Sequence, residues 1–201
     1  MGLVTRLRTA RRISVPIAIG VVALLLGTAL TAWTVVGGSE PDRTDQVAAV
    51  APSVPPAVKT KPVVLRKAGI QLQVPVGYSV KQQQRTARFV APDKAVVITA
   101  GRGAAGSLAR ANRHHLATVR RAYTKVEAAE SQATRVAGHT ALITSGQATN
   151  SAGVPIRFVA VVLRGGAHNY AITAYTARDS DPASVLPQVN AVVNSFELTA
   201  K

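Results

Sequence analysis

The chain has no cysteine. This excludes a disulfide scaffold, a thiol nucleophile, a Cys-ligated zinc site and a lipid carried on cysteine. Acids are scarce as well. Nine Asp+Glu stand against 24 Lys+Arg in 201 residues, a formal net charge of +15. Beyond residue 62 the only acids are Asp93, Glu127, Glu130, Asp179, Asp181 and Glu197. Asp93 fits a turn, and Asp179 and Asp181 fit the approach to a helix, so little is left for carboxylate catalysis. Aromatic residues make up 4% of the chain, too few for a base-stacking platform, and no nucleic-acid-binding motif is present. No serine sits in a G-x-S-x-G elbow. These gaps argue for a protein that is not an enzyme and does not bind nucleic acid. Apolar residues, at 47%, are too many for a disordered basic tail.

One long uncharged run is present. Ile13 to Val36 carries no charge over 24 residues. As a helix it would be about 36 Å long, enough to cross a hydrocarbon core of about 30 Å. Pro16 falls in its first turn and Trp33 near its far end, where interfacial aromatics are common. A cleaved signal peptide would have a shorter apolar region and a small-x-small site, and Leu30 spoils the site ending at Ala32. The run is therefore expected to be a retained transmembrane anchor. Residues 1–12 carry Arg6, Arg8, Arg11 and Arg12 and no acid. Residues 37–62 balance Arg43, Lys59 and Lys61 against Glu40, Asp42 and Asp45. The positive-inside rule then places the N-terminus in the cytoplasm and the rest outside the cell membrane.

Residues 37–62 include Pro41, Pro52, Pro55, Pro56 and Pro62 with Gly37-Gly38, and read as a Pro-rich disordered linker. Residues 63–201 form one domain-sized stretch with 17 Lys+Arg and six Asp+Glu, a net +11. Ile70, Leu72 and Val74 alternate as a half-buried strand does. Pro92-Asp93, Asn150-Ser151-Ala152-Gly153 and Gly165-Gly166 each separate two apolar runs and predict three hairpins: 86–91 with 94–100, 141–149 with 154–163, and 154–163 with 168–176. Ser107 to about Val126 predicts a helix. Leu108, Leu116, Val119, Tyr123 and Val126 fall on one face, with Arg110, Arg113, His114, Arg121 and Lys125 opposite. A second helix is predicted over 183–196, with Val185, Val189, Val192 and Phe196 as its stripe and a start near Ser184, which puts Pro187 in the first turn. The order of elements predicts an α+β fold, an antiparallel sheet packed by two main helices.

Gly101-Arg102-Gly103-Ala104-Ala105-Gly106 matches the dinucleotide fingerprint G-x-G-x-x-G, with Glu127 at the distance of a ribose-binding acid. The motif needs a parallel βαβ unit, and the hairpins downstream predict antiparallel pairing. A nucleotide-binding enzyme using this loop is therefore the minor alternative, and no cofactor is expected. A second use is a helix-start anion site built from Arg102, Gly103, Ser107 and Arg110. Adjacent His114 and His115 point to different sides of a helix, so no metal site is expected from them. The face Arg110, Arg113, His114, Arg121 and Lys125 is the candidate surface for an anionic partner. The bland reading is a solvated face that keeps the domain soluble.

Val74-Pro75-Val76-Gly77-Tyr78 is similar to the Pro-x-Gly-aromatic corner of the PsbP-like α/β/α sandwich superfamily, in the branch with actinobacterial LpqN-type envelope proteins. A hairpin, an amphipathic helix, a turn at Gly138, a meander and a terminal helix ending Asn194-Ser195-Phe196 follow in the order of that family, across about residues 63–199. Two features depart from it: Tyr78 stands where Trp is commoner, and a membrane helix would replace the lipid anchor. The resemblance implies a non-enzymatic, membrane-anchored binding or accessory module for a membrane-protein complex or envelope component. It carries over no catalytic residue. A basic adhesion module for anionic lipid or envelope polymer is the other binding alternative.

Overall fold

The computed structural model describes residues 58–199. The anchor predicted over 13–36 and most of the linker lie outside them. No helix of the described residues is long and apolar enough to cross a membrane.

Among the described residues five strands precede the first helix: β1 (Thr60–Leu65), β2 (Ile70–Pro75), β3 (Ser79–Gln83), β4 (Thr86–Val90) and β5 (Val96–Arg102). Helix α1 (Leu108–Ala122) leads to β6 (Thr124–Ala128), β7 (Gln132–Val136), β8 (His139–Thr149), β9 (Pro155–Gly165) and β10 (His168–Ala177). Helix α2 (Pro182–Asn194) and the short β11 (Glu197–Leu198) close the chain. The large sheet runs β3-β4-β5-β10-β9-β8-β6, with β7 also paired to β8, and a small sheet runs β1-β2-β11. Every pairing among the described residues is antiparallel.

The three predicted hairpins form, each with local chemistry to match. Asp93 Oδ1 accepts from the Ala95 amide at 3.0 Å, and Asn150 Oδ1 accepts from the Ala152 and Val154 amides at 2.9 Å. Such side chain-to-backbone bonds hold a turn without a ladder. Gly166 takes a φ of +56 between β9 and β10.

Alternation sorts the large sheet into two faces. Ala87, Phe89, Ile98, Ala100, Val161, Leu163, Ile172 and Ala174 join Ile70, Leu72 and Val74 of the small sheet and Val185, Val189, Val192, Val193 and Phe196 in one core. On the other face Ala148, Ile156, Phe158 and Ala160 pack with Leu116 and Val119 of α1. Helix α1 thus covers one face, and α2 with the small sheet covers the other.

Three boundaries differ from the sequence reading. β1 begins at Thr60, inside the stretch read as linker, and Pro62 is tolerated because β1 lies at a sheet edge. Helix α2 begins at Pro182 rather than near Ser184. Asp181 caps it by accepting from the Ala183 amide at 3.0 Å, and Pro182 takes the first turn, which leaves Pro187 inside the helix. Helix α1 ends at Ala122, where Tyr123 turns extended. Lys125 and Val126 then belong to β6. The register shifts between Thr124 and Glu127, and Lys125 has a φ of +48, the mark of a bulge. Val126 continued the apolar spacing of the helix, but it meets the same core from a strand.

Candidate functional site

Helix α1 packs chiefly over β9, β8, β6 and β10. It leaves the same face of β3, β4 and β5 uncovered. Those strands put small and polar groups there: Thr86 and Arg88 on β4, and Val97, Thr99 and Gly101 on β5. Their alternate residues, Ala87, Phe89, Ile98 and Ala100, are buried in the opposite core. The result is a cleft of about 630 Å³ between the flank of α1 and the sheet. That size matches the usual range for small-molecule sites.

Strand register lays the floor out in rows. Lys81 pairs with Arg88, Arg88 with Thr99, and Thr99 with Thr173. To one side Val97 pairs with Tyr175; to the other Thr86 pairs with Gly101 and Gly101 with Ala171. Helix α1 supplies the wall with His114, His115, Thr118, Val119 and Ala122, and Tyr123 just past its end completes it. Lys81, Arg88 and His114 line the cleft, as does Arg102, whose guanidinium is engaged by His168, and none of the lining residues is acidic.

Two groups hold the wall in place. His115 Nε2 and Thr173 Oγ1 are hydrogen-bonded at 2.6 Å. Burial, with some help from neighbouring His114, lowers the His115 pKa and favours the neutral ring. Tyr123 and Tyr175 stack with centroids 5.0 Å apart, and burial raises the pKa of both phenols. The charge of Arg88 acts against that rise at Tyr123. Further along α1, Asn112 Nδ2 donates to Ser131 Oγ at 2.8 Å, and Ser131 Oγ lies 2.7 Å from Thr144 Oγ1.

The predicted basic face is only partly brought together. Arg110, Arg113, His114 and Arg121 are exposed on α1, and Arg120 joins them. Lys125 is exposed but sits on β6. Of this set only His114 lines the cleft. The sequence reading missed Lys81 and Arg88; β3, exposed throughout with Val80 its one apolar residue, gives no apolar period for Lys81. Charge alternation on the predicted strand 86–91, with Arg88 facing away from Ala87 and Phe89, was the available signal.

The groups of the helix-start anion site have intramolecular tasks. Arg102 Nη2 lies 2.6 Å from the ring nitrogens of His168. The Gly103 amide donates to Asn169 O at 2.8 Å. Ser107 Oγ caps α1 by accepting from the Arg110 amide at 3.3 Å. Asn169 Nδ2 donates to the carbonyls of Ala104 and Gly106. Gly101 and Arg102 are part of β5, and a side chain at Gly101 would run into Arg85 O and Thr86 Cα. Gly106 has a φ of +100. Glu127 lies on β6, with three strands between it and β5 in the sheet, so the adjacent parallel strands of a dinucleotide unit are absent among the described residues. Among the described residues no group of three or more acidic or histidine side chains converges as a metal site would need.

No family model and no curated protein sequence matches the chain. Solved structures do. A Bacteroides thetaiotaomicron VPI-5482 protein is similar over 70% of this chain at 10% identity and a TM-score of 0.51, and the chain spans 49% of that protein. Cyanobacterial PsbP (CyanoP) from Synechocystis sp. PCC 6803 is similar over 75% of this chain and 98% of its own, at 14% identity and a TM-score of 0.55. LpqN, involved in cell envelope biogenesis of Mycobacterium tuberculosis, is similar over 71% of this chain and 92% of its own, at 14% identity and a TM-score of 0.48, which adds nothing to the fold assignment. Antiparallel sheets with one helix on each side of the larger one, matched along almost the whole of CyanoP, give this domain the PsbP-like fold.

Proposed function

We propose that the chain is a non-enzymatic, membrane-anchored extracytoplasmic module that binds an anionic envelope component or the acidic face of a membrane-protein complex. One observation carries this reading: a cleft in which Lys81, Arg88 and His114 meet no acidic side chain. The net +11 of residues 63–201 gives the same sign over the rest of the domain. Charge of one sign attracts a partner of the other and raises its local concentration, most strongly at low salt. The anchor, with its basic N-terminal flank, would keep this surface near the outer face of the membrane. The test is photocrosslinking in native membranes from a probe at Thr118, on the cleft wall. A discrete adduct that weakens with salt and is lost in Lys81→Glu/Arg88→Glu is expected. Absence of any adduct, or one indifferent to that double change, refutes the reading.

The exposed row Arg110, Arg113, Arg120 and Arg121 on α1 favours a second mode, adhesion to anionic lipid or envelope polymer. Each such residue contributes at most about 1 kcal/mol at an anionic membrane surface, so several must act together. Co-sedimentation of the chain with anionic vesicles across a salt series separates the modes: adhesion fades in the quadruple Ala variant of this row, whereas cleft binding does not.

A further inference from the structure

We propose that the cleft between α1 and strands β3–β5 binds a single amphiphilic phosphate: a phosphate headgroup held over the Lys81–Arg88–Thr99 row, joined to an apolar part lying on Val97, Val119 and the Tyr123–Tyr175 pair. This deepens the binding reading above and rests on it.

Charge placement is the first argument. Lys81 and Arg88 are direct cross-strand partners on one face of the sheet. Residues so paired have Cβ atoms about 5 Å apart, and like charges there destabilise the pair. An edge lysine does discourage pairing with another chain, but that role needs no arginine opposite it. With no acid among the lining residues, the repulsion is relieved by an anion from outside. Thr99, the next residue in the row, adds a hydroxyl to the same spot. An arginine fork, an ammonium and a hydroxyl together suit a phosphate.

Size and lining give the second. A bare phosphate would leave most of about 630 Å³ empty. Beside the cationic row the floor turns apolar at Val97 and Tyr175, which are register partners. Above them stand Val119, Ala122 and the ring of Tyr123, stacked on Tyr175. A polar row bordered by an aromatic and aliphatic strip is the surface an amphiphile fits, with orientation set by the charged end. The His115–Thr173 bond fixes the helix wall against the floor, so the space does not depend on ligand to stay open.

The experiment is calorimetric titration of the full chain in phosphatidylcholine nanodiscs with three probes. Dihexanoylphosphatidylglycerol carries the lipid phosphate anion, dihexanoylphosphatidylcholine the same tails with no net charge, and inorganic phosphate the headgroup alone. Binding of the first should exceed that of either other by at least about tenfold, or about 1.4 kcal/mol. Arg88→Glu removes the charge, and Thr118→Trp fills the cleft from the wall. Each should lower the affinity by about tenfold or more, while Arg121→Glu, the same charge change outside the cleft, should alter it less than about twofold. Equal binding of the phosphatidylcholine probe overturns the proposal. So does equal binding of inorganic phosphate, which would mean an anion site without a tail. An equal loss in Arg121→Glu, or no loss in Thr118→Trp, also overturns it, since binding would then follow the diffuse field. If the membrane photocrosslink persists while no probe binds, this inference fails and the broader binding function stands.

Discussion

Replacing Gly101 by alanine should damage the domain more than the same change at Gly103 or Gly106. A Cβ at Gly101 would collide with Arg85 O and would lie 2.9 Å from both Thr86 Cα and Thr86 Cγ2. The obstacles are mostly backbone, so relief requires β4 to move away from β5. Overpacking of this kind costs about 1–3 kcal/mol, and backbone contact puts Gly101 at the upper end, about 3 kcal/mol. At Gly106 the nearest atom is the flexible Arg110 Cδ at 3.3 Å, but the φ of +100 is strained for alanine, worth about 1–2 kcal/mol. At Gly103 the nearest atom is Asn169 O at 3.4 Å, an ordinary contact, and the change should stay within about 0.5 kcal/mol. For a domain of this size each kcal/mol shifts Tm by about 4 °C. Thermal unfolding of the solubilised full chain should therefore show losses of about 12, 6 and 2 °C or less for Gly101→Ala, Gly106→Ala and Gly103→Ala. A dinucleotide loop demands another order, because its middle glycine is where pyrophosphate approaches the backbone. Gly101→Ala within about 2 °C of the parent would refute the packing argument. Nicotinamide dinucleotide binding abolished by Gly103→Ala at unchanged Tm would restore the nucleotide reading.

Further outcomes are expected. The His115 ring is held neutral, its pKa lowered below the unfolded value. The unfolded chain therefore binds the proton more readily, and stability falls as pH drops below about 6.5. Tm measured at about pH 7.5 and about pH 5 should differ less in His115→Gln than in the parent; an identical difference counts against the assignment. Phe158 is 1% exposed beneath α1, and Phe158→Ala should cost about 3–5 kcal/mol in denaturant titration, far more than the exposed Val154→Ala. Burial, with a smaller contribution from the charge of Asp93, pushes the Tyr78 phenol up to about 12, while its hydroxyl donates to Gln188 Oε1 at 2.7 Å. Alkaline ultraviolet titration should lose this late-ionising tyrosine in Tyr78→Phe. The cysteine-free chain makes topology testable: a membrane-impermeant maleimide should label Ser151→Cys on intact cells and Thr5→Cys only after permeabilisation.

Much of this was legible along the chain because local physics repeats at short range. The three hairpins followed from Asp93, Asn150 and Gly166, each of which sets its turn through neighbouring backbone. The stripe Leu116 and Val119 fixed the buried side of α1, and the cap at Ser107 fixed its start. The sequence also determined the absence of thiol chemistry, the division of charge among residues 1–12, 37–62 and 63–201, and the α+β class. Other features depended on pairing across distance. β1 and β3 have no apolar period and form because β2 and β4 offer ladders. Val126 keeps helical spacing yet joins a strand, because a bulge at Lys125 lets β6 pair with β8. The cleft was decided in tertiary structure alone. Lys81, Arg88 and His114 come from two strands and a helix, and no sequence spacing encodes their meeting. They share one hollow because α1 packs over β8 to β10 and stops short of β3 to β5, an offset set by side-chain packing between layers.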